Sequence, residues 1–397
     1  MKSFCFTGAL STALLPAISS GAHAQIVLNL ITQVDLSATA SASTSPSYIG
    51  NNISAVAWNG STAWVGGYNQ GATGTPTAIV SVSNVLTTPL LGTSFGSLPT
   101  NNSCGITSLA VNGNTLAAAY DNGSGNGDSV RSFDPTTNAL NWRIGTAATD
   151  ATRRGDGVAF DPGFNGGGTN KGVAYLSIGS DRRHLLNAPT GTYTNRQNAG
   201  AIINTTPTST VWRDLTFDPV TGDLYTRESN RLTKAVRNGD NTFVGGGSSV
   251  IGGLPTSGVV DNENLTFVNS NLYGDFLILN DRTSNGGGQA FSNVVKVFSK
   301  TGTALTLNLG SFAALDGVGA YDFSFDAPSQ TLAVSDFTNR QLYVFGLGAG
   351  TTAVPEPGAV AFGICGILMS GALLRRRRNY SYFFSPVSFS CKGLTKK

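Results

Sequence analysis

The chain has 397 residues, 50 of them glycine, and only 12% of its residues are charged. With Asn, Thr and Ser also abundant, this composition suits many short strands and tight turns and excludes a mainly helical protein. The formal charge of +3 is the sum of +8 in residues 1–24 and 375–397, which contain no acid, and −5 in residues 25–374, so the body gives a nucleic-acid partner no electrostatic support.

Residues 1–24 read as a secretory signal peptide. Lys2 supplies the positive start, Phe4–Ile18 is apolar apart from Thr7, Ser11 and Thr12, and Ala22-His23-Ala24 is a small-residue cleavage site. Export through the Sec machinery and signal peptidase would leave a mature chain beginning at Gln25. An uncleaved anchor is the weaker alternative, because the apolar run is short and ends in small residues. Of the four cysteines, Cys5 lies in this leader, Cys365 in a later apolar run and Cys391 in the C-terminal tail. Cys104 alone remains in the body, so no internal disulfide forms there, and a lone cysteine of this kind is usually a small buried hydrophobe.

The body, residues 25–350, carries a loose repeat: an alternating apolar strand, a turn, then a second apolar strand. The pattern occurs at Val56–Val65, Leu109–Ala118, Val158–Pro162 with Val173–Leu176, Leu215–Tyr225, Leu265–Tyr273 and Phe323–Ala333. Successive starts are 53, 49, 57, 50 and 58 residues apart. Asn-Gly, Asp-Pro and Gly-Asp turns between alternating runs are hairpin signals. A second hairpin follows in most units, as in Val130–Ile144 around Asp134–Asn138 and Val294–Leu309 around Lys300–Gly302. Two hairpins per roughly 50 residues is the spacing of a four-stranded β-propeller blade. The expected fold is therefore all-β, a six-bladed propeller, with a seven-bladed ring or a pair of β-sandwiches as alternatives.

The last unit is one strand short, holding only Thr331–Ser335 and Gln341–Gly346 after Phe323. Gln25–Leu36, with Ile26, Leu28, Leu30 and Val34 alternating, is expected to supply the missing strand and hide both edges. The glycine runs Gly166–Gly168, Gly245–Gly247 and Gly286–Gly288 are expected in loops.

Residues just before the first strand of each blade would ring one mouth of the channel. Asp156, Asp214, Glu263 and Asp322 hold those positions, with Asn264 nearby. Four converging carboxylates would suit calcium, which takes six to eight oxygen ligands. Such residues also cap turns by accepting backbone N–H bonds, so both roles stand open. Similar constellations occur in propeller enzymes of the lactonase and phosphoesterase kinds, although no motif here matches one closely. The repeated Phe-Asp-Pro at 133–135, 160–162 and 217–219 reads as turn chemistry, with Asp accepting backbone hydrogen bonds and Pro fixing φ.

His184, in Asp181-Arg-Arg-His184, is the one histidine left after the leader. It is expected as a solvated loop residue rather than a general base, and with this one histidine a zinc site is not expected. Gly123–Gly127 lacks the strand-to-helix context of a phosphate loop, and no G-x-S-x-G elbow presents a serine.

The C-terminal end has three parts in order. Val354, Pro355, Glu356, Pro357 and Gly358 come first, then the uncharged run Ala359–Leu374, then Arg375, Arg376, Arg377 and Arg378. As a helix the run would span about 24 Å, slightly short of a usual membrane crossing. The arginines would stop transfer and stay cytoplasmic. A buried helix with a basic end fits poorly, since Gly363, Gly366 and Gly371 weaken it and it has no polar face.

Together these parts resemble a PEP-CTERM sorting signal over residues 351–378. The resemblance implies processing at or near the Pro-Glu-Pro by exosortase, a membrane cysteine protease or transpeptidase. It also implies a membrane-anchored precursor that becomes a cell-surface or extracellular protein of an exopolysaccharide-producing bacterium. Residues 379–397, with Tyr380, Tyr382, Phe383, Phe384 and Phe389, extend beyond the family's pattern, which normally ends soon after the basic cluster. The reading is a binding or structural module without catalytic residues, partnered by matrix polysaccharide or surface proteins. The alternative is an exported metal-dependent hydrolase with calcium at the acidic mouth.

Overall fold

The computed structural model describes residues 25–38, 46–69, 76–98, 105–121, 130–144, 155–163, 172–177, 183–187, 196–198, 212–228, 231–239, 242–243, 249–253, 264–284, 291–309 and 320–348. The chain divides into two units, Met1–Gly348 and Ala349–Lys397, and every described residue belongs to the first. The leader, the sorting motif, the apolar run, the arginine cluster, Cys104, Glu263, Gly123–Gly127 and the three glycine runs lie outside the described residues. Among the described residues no helix is long and apolar enough to cross a membrane.

β1 (Ile26–Asp35) does not pair with the strands that follow it directly. β2 (Asn52–Trp58), β3 (Ala63–Tyr68) and β4 (Thr77–Ser83) form an antiparallel meander. Its outer position is divided between β5 (Leu90–Leu91) and β6 (Phe95–Leu98), both paired with β4. β7 (Gly105–Asn112), β8 (Thr115–Asp121), β9 (Val130–Phe133) and β10 (Leu140–Ile144) make the next, joined to the first at Tyr68 and Gly105. β11 (Gly155–Asp161), β12 (Gly172–Ser177), β13 (Arg183–Asn187) and β14 (Arg196–Asn198) follow. β15 (Trp212–Phe217), β16 (Leu224–Glu228) and β17 (Arg231–Ala235) come next; after a small hairpin of β18 (Arg237–Gly239) and β19 (Thr242–Phe243), β20 (Ser249–Gly253) completes that sheet.

β21 (Leu265–Ser270), β22 (Gly274–Ser284), β23 (Phe291–Ser299) and β24 (Ala304–Leu305) form another sheet. β25 (Leu307–Asn308) then leaves it to run parallel to Ile26–Val27. Finally β26 (Ala320–Asp326), β27 (Thr331–Asp336) and β28 (Gln341–Leu347) accept β1 on their outer side, from Leu28 opposite Leu347 to Asp35 opposite Gln341.

The core is divided among the gaps between consecutive sheets. Ala117, Ala119 and Trp142 pack with Val158, Val173 and Tyr175, for example, and Tyr225 and Leu232 pack with Phe267, Leu277 and Leu279. One cluster joins the last sheet to the first, with Ala333, Leu342 and Val344 against Val56, Val65 and Val82. Strands buried on both faces account for the near-continuous apolar runs of the sequence. Each fully buried Val, Leu, Ile or Phe contributes roughly 1.5–3 kcal/mol, so every gap between sheets is a sizeable apolar contact.

The Asp-Pro turns follow the expected chemistry. Asp134 Oδ1 accepts the N–H groups of Thr136 and Thr137, Asp161 that of Gly163, and Asp218 those of Val220 and Thr221. Two expectations need correction. The turn after β21 occupies Asn271–Tyr273, so Asn-Leu-Tyr does not open the second strand, which starts at Gly274. Ser270 Oγ holds that turn by accepting the N–H groups of Leu272 and Tyr273, and Gly274 takes φ +72°, where a side chain would be strained. His184 is not in a loop but in β13, where it pairs with Tyr175 on one side and Asn198 on the other.

Candidate site at the mouth of the central channel

The first strands of the sheets, β2, β7, β11, β15, β21 and β26, line one cavity of about 250 Å³. Neighbouring first strands run the same way. Asp214 Oδ2 accepts the N–H of Leu265 at 2.7 Å, and two residues further on Thr216 Oγ1 accepts that of Phe267 at 3.3 Å. Asp322 Oδ2 accepts the N–H of Val56 at 2.8 Å, and Ser324 Oγ that of Trp58 at 3.0 Å. Between β7 and β11, Ser108 Oγ accepts the N–H of Val158 at 3.4 Å. Side chains of one sheet thus satisfy backbone donors of the next, which would otherwise face the channel unpaired.

The acids do not precede the strands; Asp156, Asp214 and Asp322 lie inside β11, β15 and β26. Register shifts mark the starts of five of these strands, at Ile53/Ala55, Ile106/Ser108, Gly155/Val158, Trp212/Asp214 and Ala320/Phe323. A bulge adds a residue to one strand and re-aims its side chain. Here each bulge falls beside a buried polar side chain: Ser54, Ser108, Asp156, Asp214 and Asp322. In β21, which begins without a shift, Asn264 takes the equivalent place and its N–H donates to Asn280 Oδ1 at 3.0 Å.

Asp214 is 2% exposed and Asp322 3%. Burial pushes the Asp214 carboxyl well above the usual carboxylate range; the charges of Asp322 and, more weakly, Asp156 add to this against the Leu265 and Leu215 N–H groups. Asp322 is raised well above that range by burial, opposed by N–H groups of Val56, Phe323 and Leu109. Both Asp322 oxygens accept backbone bonds, Oδ1 from Phe323 at 2.9 Å. Asp214 Oδ1 is buried without a hydrogen-bond partner and packs against Gly157.

The structure therefore brings Asp322 and Asp156 within electrostatic reach of Asp214. Among the described residues no three His, Cys, Asp or Glu side chains stand close enough to hold a metal ion. Ser54, Ser108, Thr216 and Ser324 escaped the sequence reading, although Thr216 and Ser324 stand two residues after Asp214 and Asp322, on the same strand face. Arg227, fully buried and opposite Asp214 in the register of β15 and β16, also escaped it.

No family model matches the chain, and no curated protein matches its sequence. Solved structures do resemble it in fold. A crystal structure of an auxiliary nutrient-binding protein from Bacteroides thetaiotaomicron matches with TM-score 0.52 and 10% identity, over 74% of this chain and 69% of that one. The WD40 domain of Neurospora crassa Pan2 matches with TM-score 0.49 and 11% identity, over 81% and 95%. The C-terminal WD40 domain of Sif2 gives TM-score 0.44 and 13% identity, over 82% and 99%. The chain is all-β and propeller-like.

Proposed function

We propose that this is an exported protein whose body is a six-bladed propeller serving as a binding or structural module at the cell surface. The sheet pairings are compatible with six such groups if β1 is counted with β26–β28, β5 and β6 share one outer position, and the sheet that joins β2–β6 to β7–β10 is taken as two. On this reading β1 closes the ring, and both ends of the body share one blade. Delivery would run through the signal peptide of residues 1–24, anchoring through Ala359–Leu374, and processing by exosortase at Val354–Gly358. Matrix polysaccharide or other surface proteins are the partner class. The fold neighbour described as nutrient-binding makes extracellular capture a compatible role for such a body.

The observation that carries the module reading is the use made of the mouth acids. Oxygens of Asp214 and Asp322 accept N–H bonds from the adjoining sheets, which ties the ring together. Calcium titration tests it. A bound ion at a hundred times its Kd would stabilise the fold by about 2.7 kcal/mol. The module reading expects the same unfolding temperature in excess calcium and in chelator; a rise in calcium that Asp214→Ala abolishes would favour the hydrolase instead. Intact mass tests the sorting. A product running from Gln25 to Pro355–Gly358 only in cells with exosortase supports it, and an unprocessed C-terminus in both strains reduces Val354–Arg378 to an ordinary anchor.

A further inference from the structure

The cavity between the first strands has two unlike walls. Ala110 and Ala159 line it from β7 and β11, Thr216, Thr266 and Ser324 from β15, β21 and β26, and all five are half-buried. Contacts between neighbouring strands put them at one level: Ser108 with Val158, Gly157 with Asp214, Thr216 with Phe267, Thr266 with Phe323 and Ser324 with Trp58. One side of this ring therefore carries methyl groups and the other carries hydroxyls. Asp214 and Asp322 also line the cavity, two residues before Thr216 and Ser324 and so on the hydroxyl side.

The hydroxyl side has bonding capacity left over. Thr216 Oγ1 and Ser324 Oγ each accept one backbone N–H, which leaves each its own proton to donate. Thr266 Oγ1 gives its proton to Phe323 O at 2.7 Å and keeps its lone pairs. Asp214 Oδ1 adds a buried oxygen without a well-formed hydrogen bond. A ligand that meets this wall must both donate and accept, at several points, as hydroxyl groups do. No Lys, Arg or His stands among the described residues that line the cavity, so an anion has no counter-charge there. A cation is served little better. Both Asp322 oxygens are taken by backbone N–H groups, and burial raises the Asp214 and Asp322 carboxyls, which favours their uncharged forms. The volume, about 250 Å³, is below the roughly 300–1,000 Å³ of sites for drug-sized ligands and suits one ring rather than a stretch of chain.

We propose that this cavity binds a single neutral sugar ring, with its C–H face on Ala110 and Ala159 and its hydroxyls on Thr216, Thr266, Ser324 and Asp214 Oδ1. The ring is a free sugar or the terminal residue of a glycan. The inference rests on the reading of the body as a binding module and names its class of ligand. Selectivity comes from the hydroxyl side, because a ligand that lacks a matching hydroxyl leaves buried polar groups unpaired.

The test titrates the full chain with neutral hexoses and their N-acetyl forms, and with glucosamine and glucuronate as charged counterparts, by calorimetry and saturation-transfer NMR. At least one neutral sugar should bind one to one, with the same affinity at low and high salt, and glucuronate should not bind. Ala110→Leu fills the methyl side and should abolish binding. Thr266→Val keeps the side-chain shape, serves where Ala110→Leu does not fold, and should weaken binding about tenfold. Leu90→Ser, on the outer strand β5, should leave the affinity unchanged. An oligosaccharide ending in the bound sugar separates the sources: if it binds, the ligand is a chain end, and if only the monosaccharide binds, it is a free sugar. The inference is overturned if no neutral sugar binds, if glucosamine alone binds, or if binding survives both Ala110→Leu and Thr266→Val. The module reading fails separately, on a calcium-dependent rise in unfolding temperature that Asp214→Ala abolishes.

Discussion

Replacing Asp214 by asparagine separates two roles of a carboxyl that is both a hydrogen-bond acceptor and a titrating group. The amide oxygen keeps the bond from Leu265 N–H, which is 2.7 Å long. The amide nitrogen takes the place of Oδ1, which accepts no hydrogen bond of good geometry, the nearby Leu215 N–H acting on the carboxyl only as a favourable dipole. A protonated Asp214 already carries an unsatisfied donor there, so in acid the exchange is close to neutral. Asp322 differs, because both of its oxygens accept backbone N–H groups. Asp322→Asn sets an amide N–H against one of these donors and should cost about 1–3 kcal/mol in acid. At higher pH the sign reverses for Asp214. Its folded pKa lies well above the ordinary 3.8, so its contribution is fully present below that value and is lost as pH rises through the folded pKa. Within that window the loss is about 1.4 kcal/mol per pH unit for one carboxyl, and asparagine, which does not titrate, escapes it. Urea unfolding from acid to neutral pH, followed by the fluorescence of the buried Trp58, Trp64 and Trp142, measures both effects. Asp214→Asn should match the wild type in acid and exceed it towards neutral pH. A loss in acid as large as that of Asp322→Asn, or an unchanged slope with pH, would refute the assignment.

Gly157→Ala would drive a methyl group to 2.8 Å from the Asp214 Cα and into its carboxyl, so we expect a destabilisation of about 1–3 kcal/mol in urea titrations. Thr331→Val keeps the side-chain shape but removes the acceptor 2.7 Å from Trp58 Nε1, leaving a buried indole N–H unpaired. The expected cost is about 1–3 kcal/mol, with a change in the near-ultraviolet circular dichroism of Trp58. Arg237→Met strips the fully buried Asp161 of its ion-pair partner and should cost about 3–5 kcal/mol at neutral pH, read as a lower urea midpoint. That loss should shrink in acid, where Asp161 takes up a proton, its carboxyl being raised already by burial.

The sheets were legible because the residues that start and stop each strand are local. Val56–Val65 contains both strands and the turn of its hairpin, and the observed register sets Val56 opposite Val65 and Trp58 opposite Ala63. Phe-Asp-Pro was readable for the same reason, since Asp134 and Asp218 accept from N–H groups two or three residues away. Leu265–Tyr273 failed where apolar alternation continued past the true end of a strand. The hydroxyl of Ser270 competes there with sheet pairing, and it ends β21 in favour of a turn that leaves Leu272 in solvent. Leu307–Asn308 failed differently. Its parallel partner, Ile26–Val27, lies far away in sequence, and nothing local marks the point where the chain changes sheets.

The candidate site was legible in its members but not in its chemistry, and the bulges explain why. Counting back from the apolar run places Asp156, Asp214 and Asp322 at one end of their strands, because polar residues there interrupt the alternation. Whether such a carboxyl faces solvent, a cation or a backbone donor depends on one extra residue in the strand, since a shift of one position turns the side chain to the opposite face. The partner that decides its role belongs to another sheet: Leu265 for Asp214, 51 residues on, and Val56 for Asp322, 266 residues back. The spacing of Asp214-Leu-Thr216 and Asp322-Phe-Ser324 does hold a clue, because two polar side chains two apart share a strand face and reach N–H groups two residues apart on a parallel neighbour. A channel lined by backbone edges needs acceptors at that spacing, whatever it binds. Carboxylates at the mouth of such a ring are therefore explained first by the N–H groups they satisfy, and an oxygen left over, such as Asp214 Oδ1, is where any further chemistry has to begin.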